Sequence, residues 1–208
     1  MRSHTSDSGE WVDGFLFVGN RSILDFLNTR PVLAHDPTEL LPDVEAVERW
    51  LIASGIVGSP KTRSLMRSWR HTPEAASFLK DLIAFRERLR DAVLRLESGS
   101  VPPDEFIREV NEGLIAHPPV MALNKREGQI YREPLLNPKR PTDLWSPILD
   151  GTADLLSEPE THRIRQCEAC VVHFFDVSKK GSRRWCSMNI CGNKVKVAAY
   201  QRRRRERA

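Results

Sequence analysis

The sequence predicts a mainly α protein with small β elements: a helical N-terminal domain over residues 13–160, then a small C-terminal module over 161–208 built from a β-hairpin and a helix. Three observations predict it. Between Pro73 and Glu97, Phe78, Leu82, Phe85, Leu89, Val93 and Leu96 recur at steps of three or four, the period of one continuous buried helical face. Strand-like runs are short and bounded by Gly, Asn or Pro. All four cysteines of the chain fall between residues 167 and 191.

The elements follow in chain order. Residues 1–12 are expected to be disordered; the first ten, "MRSHTSDSGE", are polar and hold no apolar signal region. "GFLFVGN" is a short strand that ends in a Gly-Asn turn. "SILDFLNT" continues as the first helix, with Ile23, Leu24, Phe26 and Leu27 clustered and the polar Asp25, Asn28 and Thr29 set among them. "PDVEAVERWLIASG" is a helix. Asp43 suits its N-cap, Val44, Val47, Trp50 and Leu51 share a face, and Gly55 sits just past its end. A shorter helix is expected over Lys61 to Trp69. The longest runs from Pro73 to about Glu97, with Thr72 to cap it, proline at its first position and Gly99 beyond its end.

"PPDEFIREVNEGLIAH" is a further helix. "PVMALNKREGQIYREPL" has two extended runs around Arg126-Glu127-Gly128 and predicts a β-hairpin. After the loop "NPKRP", "TDLWSPILDGTADLLSE" is helical but interrupted by Pro147 and Gly151. The polar stretch "EPETHR" places a domain boundary at residues 158–163. A last helix is expected from after Cys191 to about Arg207, with Val195, Ala198 and Ala199 packing on the module.

Charge divides the chain in the same way. Residues 161–208 carry 13 Lys and Arg against 3 Asp and Glu, a net +10, whereas residues 1–160 carry 19 against 25, a net −6. An acidic body with a basic end points to an anionic partner for that end. No apolar run approaches the ~18 to 20 residues that span a bilayer, so no membrane partner is expected and the chain reads as cytoplasmic. No nucleophile–base arrangement, Gly-rich phosphate loop or His-x-x-x-His pair occurs, so no enzyme is expected.

The cysteines are spaced Cys167-x2-Cys170, fifteen residues, Cys186-x4-Cys191. Four thiolates can surround one structural Zn²⁺ and leave no open position for catalysis. By ligand count alone an iron site has the same donor set. A reducing compartment argues against two disulfides. "VVHFFDVS" between the pairs has strand character and brings them together as a hairpin. Its His173 could substitute as a ligand, but suits a surface position on the hairpin. A module this small has little core, so metal would supply most of its folding free energy, about 10 kcal/mol or more. Cys167→Ser or Cys191→Ser is therefore expected to unfold the module and leave the body folded.

These residues resemble the CGNR-type zinc finger found at the C-terminus of a bacterial family. Phe174 or Phe175, Asp176, Arg183, Arg184, Trp185, Cys186, Ser187, Met188, Cys191, Gly192 and Asn193 match its pattern. Lys194 stands where the family has Arg, which keeps the charge but exchanges a flat two-pronged donor for a point charge. "FVGNRSILDFLNT", with Leu24-Asp25-Phe26 and Asn28-Thr29, is similar to the opening of the ABATE domain that accompanies this finger. The resemblance implies a stress-responsive transcription regulator that binds zinc and double-stranded DNA, placed at the nucleoid.

Read with that resemblance, the last helix is a recognition helix. Asn193 and Lys196 are candidates for base-edge contacts, and Lys194 lies beside them. Arg202, Arg203, Arg204, Arg205 and Arg207 are candidates for phosphate, as are Lys179, Lys180, Arg183 and Arg184 in the preceding loop. In the body, Asp25, Asn28 and Thr29, with Arg126 and Tyr131 of the hairpin, are candidates for the pocket of a small-molecule effector; the body could also form a homodimer. The alternatives are an RNA-binding or a protein-interaction zinc module.

Overall fold

The computed structural model describes residues 10–33 and 36–206 of the chain. Strand β1 (Glu10–Val12) pairs antiparallel with β2 (Phe15–Phe17). Asp13 and Gly14 make the turn at φ of 50° and 81°, the left-handed pair that a two-residue hairpin needs. Residues 10–12 are thus in a strand rather than in a disordered start, and residues 1–9 lie outside the described residues.

Helix α1 (Ser22–Leu27) follows, then the short pair β3 (Val32–Leu33) and β4 (Asp36–Pro37), which no sequence pattern announced. Helices α2 (Val44–Ala53), α3 (Pro60–Trp69), α4 (Pro73–Glu97) and α5 (Asp104–Ala116) complete the first half of the body. Their starts obey the capping chemistry of the sequence. Asp43 accepts from Ala46 N, Ser59 from Thr62 N and Thr72 from Ala75 N, and α3 and α4 open on proline, which needs no partner there.

α4 is the axis of the core. All six stripe residues from Phe78 to Leu96 are buried, at roughly 1.5–3 kcal/mol for each large apolar side chain. Trp145 lies edge-on to both Phe78 and Phe85, with ring centroids 5.4 and 5.3 Å apart. One member of the buried face is charged. The Arg86 side chain is 0% exposed and grips Glu39 at 2.5 and 2.9 Å, Glu87 at 3.1 Å and the Thr29 hydroxyl at 2.8 Å. A fully desolvated guanidinium persists only where its donors are met in this way.

Strands β5 (Met121–Arg126) and β6 (Gln129–Pro134) form the expected hairpin about Glu127 and Gly128, at φ of 51° and 80°. Both are exposed along nearly their whole length. Helix α6 (Trp145–Leu156) runs unbroken through Pro147 and Gly151. Proline falls in the first turn, where its missing N–H is no loss. α6 also crosses α5 closely, since a Cβ at Gly113 would sit 2.8 Å from Leu149 Cδ1.

Strands β7 (Ile164–Gln166) and β8 (His173–Phe175) pair antiparallel, with Ile164 opposite Phe175. These two side chains belong to the core of the helical body, whereas Leu16 and Val18, from the other end of the chain, pack with the cysteines. The boundary at 158–163 is a break in sequence and not a gap in packing. The chain closes with a π-turn (Met188–Gly192) and helix α7 (Asn193–Arg205).

Candidate metal centre and basic surface

The first ligand pair sits on the loop between β7 and β8. Cys167 N donates to Val172 O, and Val171 N donates back to Cys167 O at 3.1 Å. Val171 takes a φ of 56° to close the turn, a conformation costly for a β-branched residue and held only because the surroundings dictate it. Of the second pair, Cys186 lies two residues before the π-turn and Cys191 within it. Ser187, wholly buried, accepts Cys191 N and Gly192 N on its carbonyl and Asn189 N on its hydroxyl. Gly192 packs closely here, since a Cβ would stand 2.6 Å from Met188 Sδ and the methionine would have to shift to make room.

These turns bring all four Sγ atoms within 4.8 Å of one another. Cys170 and Cys186 are 3.6 Å apart, and Cys186 and Cys191 3.7 Å. Sulfurs placed tetrahedrally at ~2.3 Å from a zinc ion are themselves about 3.8 Å apart, so the donor set fits that ion. The electrostatics agree. S–H donation from Cys170 and Cys186 holds the Cys167 thiol far below its usual range, and the same contact with Cys167 pushes Cys170 up to about 12 and Cys186 higher still. Burial raises Cys191. Such crowding favours four thiolates only around a cation, which here is one structural zinc.

The loop between the pairs is fastened by one buried carboxylate. Asp176 accepts Ser178 N at 2.9 Å and Arg183 N at 2.8 Å. Burial alone would raise this carboxyl, but those donors hold it below its ordinary value. Arg163 clamps the Asp176 and Ser178 carbonyls, and Arg165 reaches Gly181 O. Arg183 turns inward to the Cys186 carbonyl and lies over the Phe174 ring, 5.2 Å from its centroid. Its guanidinium braces the metal loop, which is why it is not on the outer surface with its neighbours. Arg184 is exposed and pairs with Glu168 at 2.5 and 2.7 Å.

Lys179 and Lys180 are exposed, as are Asn193, Lys194, Lys196 and Arg202 to Arg205 of α7. Arg207 lies outside the described residues. No residue of α7 is buried. Val195 does not pack on the module as expected, being 38% exposed; Ala198 is exposed as well, and only Ala199 is half-buried.

The candidate effector pocket does not assemble. Asp25, Asn28 and Thr29 are buried and committed to internal bonds. Asp25 accepts Gly19 N at 2.7 Å. Burial raises its carboxyl to about 7, against the pull of the Gly19 and Val18 N–H groups. Asn28 makes a two-way bond with the backbone of His173, accepting its N–H at 2.9 Å and donating to its carbonyl at 2.8 Å. Thr29 accepts from Arg86. Arg126 and Tyr131 lie on the exposed hairpin and bond within it, to Glu133 and Gln129.

Asn20 donates to Phe175 O at 2.8 Å, Phe175 N donates to Gly19 O at 2.8 Å, and Gln166 N donates to Glu97 at 2.6 Å. The motif "GNRSILDFLNT" is therefore the socket that receives the metal module. His173 is not a surface residue. It is 1% exposed, 3.7 Å from the Glu97 carboxylate, outside the sulfur cluster, and lowered to about 4 by burial and by the charge of Arg90. The sequence signal for this socket was present, as a run of polar residues inside an apolar helix, but the bonding partners are some 145 residues away.

No helix among the described residues is long and apolar enough to cross a membrane. A search of curated proteins finds no match to the chain. Two family models do match: that of the CGNR zinc finger over residues 163–204, and that of ABATE, described as "Putative stress-induced transcription regulator", over residues 20–159. With its four sulfurs gathered at one point and its opening motif built around the module that holds them, the chain belongs to the ABATE family and ends in a CGNR zinc finger.

Proposed function

We propose that the protein is a DNA-binding transcription regulator in which one zinc ion orders a basic helix for the major groove of duplex DNA, and that it acts by binding rather than by catalysis. The observation that carries this reading is α7. It is a 13-residue helix that begins two residues after the last zinc ligand, buries no side chain, and bears Lys194, Lys196 and Arg202 to Arg205. At 1.5 Å per residue it is about 20 Å long and fits a groove some 12 Å wide. Lys179 and Lys180 add positive charge on the loop between the cysteine pairs. The family description supports a regulator, and the acidic body of net −6 leaves the basic end as the surface for an anionic partner.

The test is binding of the zinc-loaded full chain to a mixed pool of duplex DNA, by anisotropy, at two salt concentrations and with a chelator. Six phosphate contacts give a slope of log K against log salt near −5, about −0.9 for each. Salt-steep binding that disappears on chelation supports the reading. Zinc-loaded protein that leaves the duplex pool unbound excludes it.

A further inference from the structure

Every position of α7 except Ala199 is exposed, yet its residue types are not scattered at random around the helix. Successive residues turn by about 100°. Lys196 and Arg203 therefore share one flank, and Lys194 and Arg205 share another about 180° away. Between the two flanks, about a quarter turn from each, runs a stripe of Asn193, Val197, Tyr200 and Arg204. Two large apolar side chains on this stripe are bare, Val197 at 54% and Tyr200 at 60% exposed. Set between two cationic flanks and beside an amide and a guanidinium, these bare apolar groups call for a partner that is apolar and polar by turns.

We propose that this stripe reads base edges, with the two cationic flanks each held by the phosphates of one strand. The inference rests on the duplex-binding reading above and adds which residues choose the sequence. A helix lying in the major groove has phosphates on both sides and base edges beneath it, and the spacing of the flanks matches that arrangement. Within the stripe the chemistry is of the kind base edges accept. Asn193 can bond adenine, Arg204 guanine, and Val197 can meet a thymine methyl. Lys196, which the sequence offered as a base contact, is assigned to phosphate, because it shares its flank with Arg203 and not with Asn193.

The experiment is selection from a randomised duplex pool with the zinc-loaded full chain, read by sequencing, followed by titration of the selected site against unselected duplex at two salt concentrations. Asn193→Ala, Val197→Ser and Tyr200→Ala are compared with the flank pairs K196A/R203A and K194A/R205A. All these side chains are exposed, and equal zinc content confirms that each variant is folded. The expected result is that each stripe variant loses discrimination at one position of the site, about 5- to 100-fold, with its salt slope unchanged. Each flank pair keeps the selected sequence but flattens the salt slope by about 1.8. A selected sequence that stripe variants leave intact overturns the inference, as does salt-steep binding with no preference at all; both leave duplex binding standing. No duplex binding by the wild-type chain overturns the inference together with the reading beneath it. Equal affinity for duplex RNA also overturns it, because the A-form major groove is too narrow to admit the helix.

Discussion

The β7–β8 hairpin carries one half of the metal site and helix α7 follows directly on the other half, and the surroundings of the two elements are opposite. His173, Phe174 and Phe175 are buried, and their backbone is bonded to Asn28, Gly19 and Asn20 of the body. α7 buries nothing. The hairpin is thus positioned by the body, and α7 is positioned through Cys186, Cys191 and the π-turn. Zinc is the joint that transmits a fixed orientation from one to the other. A short helix of such high positive charge is marginal in water by itself, so its order depends on that joint.

The largest effect that can test the contrast is loss of the metal. Chelation or Cys191→Ser should melt the π-turn and α7, removing a stabilisation of order 10 kcal/mol. The amides of His173 and Phe175 should nevertheless stay protected from hydrogen exchange. This revises the simpler expectation that the whole module unfolds while the body stands. Exchange at His173 as fast as at Tyr200 would mean that zinc, and not the socket, holds the hairpin.

Next in size is the charge on Asp25. Its carboxyl is raised to about 7 in the folded chain from an ordinary value near 3.8. Its protonated form therefore favours folding; that contribution is complete below about pH 4 and is lost as pH rises through about 7. The loss is of order 4 kcal/mol across that window. Denaturation midpoints at pH 5.5 and pH 8, wild type against Asp25→Asn, isolate it, because both chains share the opposing pH dependence of the thiols. Equal slopes in the two chains would show that Asp25 is charged throughout.

Asn28→Ala removes both bonds to the His173 backbone and leaves a buried N–H and C=O unmet. That should cost about 3 kcal/mol, at roughly 1–3 for each stranded group. The sharper readout is local: exchange at His173 should accelerate while zinc affinity falls only modestly. Smaller again is Glu39→Gln. It weakens the hold on Arg86, but Glu87 and Thr29 remain and Glu39 is itself a third exposed, so about 1–2 kcal/mol is expected. At the bottom lies Glu168→Ala, which breaks an exposed pair with Arg184 and should leave the thermal midpoint unchanged, while freeing Arg184 and strengthening duplex binding.

The helices and the ligand set were legible because their signals are local. α4 spans the predicted Pro73–Glu97, and Asp43, Thr72 and Gly55 act as caps and stop, since capping involves groups within about four residues. The Cys-x2-Cys and Cys-x4-Cys spacings announced one metal site by chemistry alone. The socket was not legible. Asp25, Asn28 and Thr29 look the same in sequence whether they line a pocket or bond to backbone far along the chain. β1 was hidden for the same reason, since a three-residue strand is defined by its partner and not by its own pattern.

The sequence by itself determined the helical class, the helix ends, the four metal ligands and the split between an acidic body and a basic end. Each is carried by spacing or composition that no fold can alter. Only the tertiary structure decided that Arg183 braces the metal loop while Arg184 faces solvent, that Arg86 is buried beside Glu39, and that the polar residues of α1 hold the hairpin of the finger. The physical reason is that a polar side chain's role depends on which donor or acceptor satisfies it once water is excluded, and those partners are brought within bonding distance only when the chain has closed on itself.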